Sequence, residues 1–105
     1  MPEPVPLFLA PMAGVTDVAY RLLAKEAGAD FTATEFTAAS GLSRQDAKSW
    51  AKVETHPRES PFIPQIFGGI EDEMVETARL LSGTADVIDL NFGCPAPKVT
   101  KICAG

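Results

Sequence analysis

Short, wholly apolar runs alternate along the chain with stretches that are apolar on one side only. Leu7-Phe8-Leu9-Ala10 reads as a buried strand, because both of its faces are apolar. Thr16 and Asp17 supply a helix start, with Val18, Ala19, Leu22, Leu23 and Ala27 as its apolar positions. Gly28 then suits a left-handed C-terminal cap. Phe31 to Phe36 is expected as the second strand. Ser43 followed by Asp46 resembles a capping box, and the helix it opens would set Ala47, Trp50 and Ala51 on one face. The segment Thr55 to Pro61, with Pro57 and Pro61 and a charge cluster, reads as a loop. Phe62 to Phe67 is the third strand, ended by Gly68-Gly69. Glu71, Asp72 and Glu73 suit the first turn of a helix, where negative charge favours the dipole. Met74, Val75, Ala78 and Leu81 form its stripe, Gly83 stops it, and Val87 to Asn91 is the fourth strand.

Four strands alternating with three helices imply parallel β-α units of the α/β class. Their starts, Leu7, Phe31, Phe62 and Val87, are spaced as β-α repeats are, with no identity visible between repeats. Such a pattern fits the first half of an eight-fold barrel or a small doubly wound sheet. Met12, Glu35, Gln65 and Asn91 to Cys94 all fall at or just past strand C-terminal ends, which in a barrel converge on one rim. A doubly wound sheet would normally carry its phosphate loop after the first strand. Ala10 to Val15 is no GxGxxG, and there is no Walker lysine. The expected fold is therefore the N-terminal half of a TIM (β/α)8 barrel, about four β-α units over residues 1–105. A complete barrel takes roughly 250 residues, so the expectation includes truncation. An open sheet edge and exposed core face would favour self-association and low stability.

Composition bounds the function. With 105 residues, 46% hydrophobic and 22% charged, the chain suits one soluble globular unit. A net charge of -5 argues against a simple basic nucleic-acid module, without excluding an RNA contacted by other sequence. Cys94, Cys103 and the single His56 make no metal-ligand spacing, so no metal is expected, and nothing suggests a disulfide framework. Met1 to Pro6 lacks the positive charge of a signal peptide, and the run Leu7 to Val15, broken by Pro11 and Gly14, is too short to span a bilayer. A cytoplasmic protein without membrane partners is the expectation.

Cys94 lies between Gly93 and Pro95 directly after a strand. A free cysteine is commonly a small buried hydrophobe, but a turn shaped by Gly and Pro gives this one a defined place at the rim. On the residues alone both readings stay open, whereas Cys103 reads as a packing residue. Gln65 is polar inside an apolar strand. Either it lies on a wet edge, or its amide meets the carbonyl and N–H edge of a flavin-like ring. Asn91 has the same logic for a base edge. Met12 fills core space or lies against a flat cofactor ring. Glu35 is a scaffold or catalytic acid. Asp89 receives no role, Lys98 reads as a solubilising residue or a phosphate contact, and His56 sits away from the rim.

Taken in order, these segments resemble the tRNA-dihydrouridine synthase family. Ala10-Pro11-Met12-Ala13-Gly14-Val15-Thr16-Asp17 is similar to its first-strand motif, and Thr34-Glu35 to the acid after its second strand. Pro64-Gln65-Ile66-Phe67-Gly68 is similar to its glutamine motif, and Asn91-Phe92-Gly93-Cys94-Pro95-Ala96-Pro97-Lys98-Val99 to its catalytic segment. The resemblance implies an FMN-dependent reduction of the C5–C6 bond of uridine in tRNA, with NADPH as reductant. Cys94 would be the proton donor, Pro11, Met12, Ala13 and Gln65 would bind the flavin, and Asn91 would orient the uracil. It also implies that the rest of the barrel, the flavin phosphate site and a helical RNA-binding domain belong beyond Gly105. Another flavin barrel, such as a dihydroorotate-dehydrogenase-like protein, remains an alternative, although its Asn-x-Ser-x-Pro type of segment differs from Gly93-Cys94-Pro95. A non-catalytic half-barrel is the third reading.

Overall fold

A computed structural model describes residues 5–93. The chain runs β1 (Phe8–Leu9), α1 (Val18–Glu26), β2 (Phe31–Thr32), β3 (Thr37–Ala38), α2 (Ala39–Ser43), α3 (Ala47–Lys52), β4 (Gln65–Phe67), α4 (Glu71–Leu81) and β5 (Asp89–Leu90). Every strand pairing is parallel: β1 with β2, and β3 with β4 and β4 with β5. The alternation expected from the apolar runs is present, and strands follow one another across the sheets in chain order.

The strands are shorter than expected, for identifiable reasons. Of the run Phe31 to Phe36 only the first two residues form a strand, paired with β1, while Thr37–Ala38, beyond the expected run, pairs with β4. Between them Thr34 bridges the two sheets. Its N–H donates to the Ile63 carbonyl at 3.0 Å and its Oγ1 accepts from the Gln65 N–H at 3.0 Å. Pro64 has no N–H to donate, which limits the ladder before Gln65. Aspartates close the strand starts. Asp30 Oδ2 accepts from the Leu7 N–H and Asp86 Oδ2 from the Phe62 N–H, both at 2.7 Å, while each aspartate's own N–H donates back to the same residue's carbonyl. The two αβ loops thus solve one problem identically.

Helix caps follow the sequence with one correction. Asp17 accepts from the Tyr20 N–H at 2.8 Å, and Ala29 N–H to Ala24 O with Gly28 N–H to Lys25 O closes α1 as a Schellman turn, Gly28 at φ +114°. The box expected at Ser43 is displaced. Asp46 itself caps α3, accepting from the Ser49 N–H and Oγ, and Ser43 ends α2, a short helix the periodicity did not announce. The turn between them places non-glycine Gln45 at φ 59°.

The core lies on one face of the β3-β4-β5 sheet. Leu42, Val53, Phe62, Ile66 and Leu81 are buried together, with Trp50, Met74, Ala85 and Ile88 packed against them. Trp50 Nε1 donates to the Leu42 carbonyl, and buried Thr77 Oγ1 donates to Ala39 O, joining α4 to α2. Several expected stripe residues do not bury: Leu23 and Val75 are exposed, as are Ala19, Ala27, Ala47 and Ala51.

In α1 the buried residue is Arg21, not an apolar one. Its Nε and Nη2 grip the Glu59 carboxylate at 2.5 and 3.0 Å, and it donates further to Thr16 O and Glu54 O. Glu59 also accepts from Thr32 Oγ1 and Thr55 Oγ1. Desolvating both ions is costly, and only this complete set of partners offsets it. Replacing Glu59→Ala strands the guanidinium, and a loss of about 3–5 kcal/mol in denaturant unfolding is expected. Gln45→Gly relieves a left-handed non-glycine residue and should raise the same unfolding free energy by up to about 1 kcal/mol.

Candidate functional site

Two groups of side chains gather around the strands, and Gln65, expected near a strand's C-terminal end, instead opens β4 as Asp89 opens β5, with only Asn91 just past its strand. The parallel register sets Gln65 on β4 beside Asp89 on β5. Strand alternation then turns Asn91 to the same side. Ile66 and Ile88 point the other way, into the helix-covered core. The sheet therefore has an apolar face toward the helices and a polar trio on its opposite face.

The trio is hydrogen-bonded as a chain. Gln65 Nε2 donates to Asp89 Oδ2 at 2.6 Å, Asn91 Nδ2 donates to Gln65 Oε1 at 3.1 Å, and the Gly93 N–H donates to Asn91 Oδ1 at 2.9 Å. Gln65 is only 9% exposed, so its amide is sheltered and paired rather than lying on a wet edge. One Nε2 hydrogen and one Oε1 lone pair of Gln65 are left over for a ligand.

The second group holds the loop after β1. Buried Thr16 accepts from the Met12 N–H at 3.0 Å and donates back to the Met12 carbonyl at 3.2 Å. Gly14, at φ +74°, donates its N–H to Glu35 Oε2 at 2.6 Å. Glu35 is in turn set by Thr34 and Thr37, whose hydroxyls donate to its carbonyl. Ala13, Glu35, Phe36, Phe67, Lys48 and Lys52 help to line a cavity of about 480 Å³, with the Phe36 and Phe67 rings 4.8 Å apart between centroids.

Of the residues singled out by sequence, Gln65 and Asn91 are brought into direct contact, and Ala13 shares the cavity with Phe67 at the end of β4. Pro11 is half-buried and Met12 is 41% exposed. Among the described residues neither makes a hydrogen bond to Gln65 or Asn91, and the polar groups of Met12 are engaged within its own loop. Cys94, Lys98 and Cys103 lie outside the described residues. His56 is exposed, its Nδ1 accepting from the Arg58 N–H. Among the described residues no group of acidic, histidine or cysteine side chains could hold a metal ion, and no helix is long and apolar enough to cross a membrane.

A family model described as dihydrouridine synthase matches residues 8–105. The chain belongs to the dihydrouridine synthase family. It is 39% identical over 101 residues to a probable tRNA-dihydrouridine synthase of Treponema pallidum, covering 94% of this chain and 30% of that protein. A probable tRNA-dihydrouridine synthase of Helicobacter pylori is 39% identical over 97 residues, 90% of this chain and 30% of the relative. A mouse protein named as tRNA-dihydrouridine(47) synthase [NAD(P)(+)]-like is 36% identical over 97 residues, which is 15% of its length. The chain thus spans about 30% or less of the curated relatives described. Family membership decides for the dihydrouridine synthase resemblance over the dihydroorotate-dehydrogenase-like one.

Two contributions escaped the sequence reading. Asp89 was assigned no role, although alternation with Ile88 and Leu90 already placed it on the face of Asn91. Arg21 was not singled out, and Glu59 was read only as part of a charge cluster in the loop before the third strand. The signal was an arginine one turn after Val18, on the side of the helix meant for the sheet. In the loop after β1, Glu35→Ala removes a charge-assisted bond of roughly 1.5–3 kcal/mol. The Gly14 amide should then exchange its hydrogen at least tenfold faster, as read by NMR.

Proposed function

We propose that the protein acts as a tRNA-dihydrouridine synthase, reducing the C5–C6 bond of uridine in tRNA, with this chain supplying the first half of an FMN-binding (β/α)8 barrel. The sequential parallel strand order and the polar trio on the face away from the helices support the barrel reading, because a barrel's inward side is the one its helices do not cover. The observation that carries the function is the Gln65–Asn91 contact at 3.1 Å in a member of this family. It sets two amides side by side, one opening β4 and one just past β5, where a ring and a base could be held together.

The donor set fits a flavin edge. Gln65 retains one donor and one acceptor after its partners are satisfied, which matches the alternating carbonyl and N–H groups of an isoalloxazine rim. Pro11, Met12 and Ala13 would lie along the ring from the loop that Thr16 and Glu35 hold. Bound reduced FMN would supply the hydride for C6 of uridine, with NADPH as the reductant that restores it. Asn91 would orient the uracil through its remaining amide capacity. Cys94 would hold the proton for C5. A thiol with a reference pKa near 8.5 is mostly protonated at neutral pH and still able to release its proton. The target uridine must leave the RNA stack to reach such a site. The net change is uridine, NADPH and a proton to dihydrouridine and NADP+.

The test is Cys94→Ala in the intact protein. Flavin content and flavin reduction by NADPH should persist, while dihydrouridine formation in unmodified tRNA falls by about 10²–10⁴, the range of a lost general acid. Wild-type protein that neither retains flavin nor forms dihydrouridine would sink the reading.

A further inference from the structure

The amide of a glutamine or asparagine can turn end over end with almost no change of shape, exchanging a donor for an acceptor. At a site built from two of them, something must set which end faces a ligand. In this chain the two amides are bonded in series. One end of the series is Asp89, half-buried, and the other is the exposed Gly93 N–H.

A carboxylate can only accept. With Asp89 Oδ2 at 2.6 Å, the Gln65 amide must present its NH₂ toward β5, which leaves Oε1 facing Asn91. Asn91 must then offer Nδ2 to Gln65, which aims Oδ1 at the Gly93 N–H. Turning Gln65 over would set its carbonyl against the carboxylate and its NH₂ against that of Asn91. The Gly93 end favours the same polarity, but it is a neutral bond on an exposed turn that water can replace. A charge-assisted bond is roughly twice as strong as a neutral one, so the carboxylate end dominates.

We propose that Asp89 is a positioning residue that fixes the direction of the Gln65 and Asn91 amides, and so decides which hydrogen-bonding groups the site offers to the flavin edge and to the base. This rests on the function proposed above. In this role Asp89 need touch neither ring nor base. It acts through Gln65, and through Asn91 on the turn at Gly93 that leads into Cys94.

Two variants of the intact, flavin-loaded protein test this. Asp89→Leu removes the acceptor while keeping the branching at Cγ, and Asp89→Asn keeps a neutral oxygen in its place. Expected for Asp89→Leu is at least tenfold faster hydrogen exchange of the Gln65 side-chain amide, read on ¹⁵N-labelled protein. Its kcat for uridine reduction should fall tenfold or more, with the KM for tRNA within threefold. Asp89→Asn should recover part of both losses while remaining at least threefold from wild type. Loss of activity with Gln65 exchange unchanged would mean a structural role only and would overturn the proposal. So would an Asp89→Asn protein equal to wild type in both readouts, which decides the matter alone if Asp89→Leu does not fold. If wild type proves to lack flavin and uridine reduction, the functional reading fails, whereas the exchange data still decide whether Asp89 holds the amides.

Discussion

The bidentate Arg21–Glu59 pair is the interaction on which the rest of this structure depends. It ties the middle of α1 to β2 through Thr32 and to the loop before β4 through Glu54 and Thr55. Both side chains are almost wholly excluded from water. A buried pair is poor support for stability in itself, because a well-packed apolar replacement often does as well. Its value here is geometric, since a fork of donors accepts one arrangement of carbonyls and carboxylate where an apolar contact would accept several. Through Thr16, whose carbonyl receives Arg21 and whose hydroxyl holds Met12, that arrangement reaches the loop proposed to lie along the flavin.

Side chains also take over where the sheet cannot complete itself. Asp30 and Asp86 satisfy the N–H groups of Leu7 and Phe62, in the chain leading into β1 and β4, and Thr34 stitches β2 toward β4 where the ladder lapses. These substitutions keep strands of only two or three residues in register. Register matters most at Gln65 and Asp89, because a slip by one residue would turn the polar trio into the helix-covered core. Buried polar groups there would then be left without partners, at a cost comparable to the stability of a small domain.

The alternation of elements was legible in the sequence because period, caps and breakers agreed. Gly28, Asp17 and the acid-led start of α4 all stand where pattern placed them. What the pattern missed has a common cause. Periodicity reads apolar residues, so it over-assigned Leu23 and Val75 to the interior and overlooked Arg21. It also ran β2 on to Phe36 and did not announce β3 at Thr37–Ala38, since nothing local says that the chain changes partner there. Gln65 and Asn91 were visible as polar residues in apolar strands, although Gln65 opens β4 rather than ending it, while Asp89 was not. Its role exists only across the β4–β5 pairing, and a linear reading has no access to a cross-strand neighbour.

That same pairing explains how one short segment serves both the fold and the proposed site. Residues 88 to 91 alternate Ile, Asp, Leu, Asn. Ile88 packs with the core cluster on one face, and Asp89 and Asn91 bracket the Gln65 amide on the other. The apolar half of the alternation fixes the register, and the register then fixes which amide meets which acceptor. A polar network partly satisfied would be worse than none in so sheltered a place, because each open group costs its full desolvation. Among the described residues no buried side-chain nitrogen or oxygen lacks a partner. The network is therefore compatible with a folded sheet before any ligand arrives, and the donor and acceptor it leaves over on Gln65 are free for one that does.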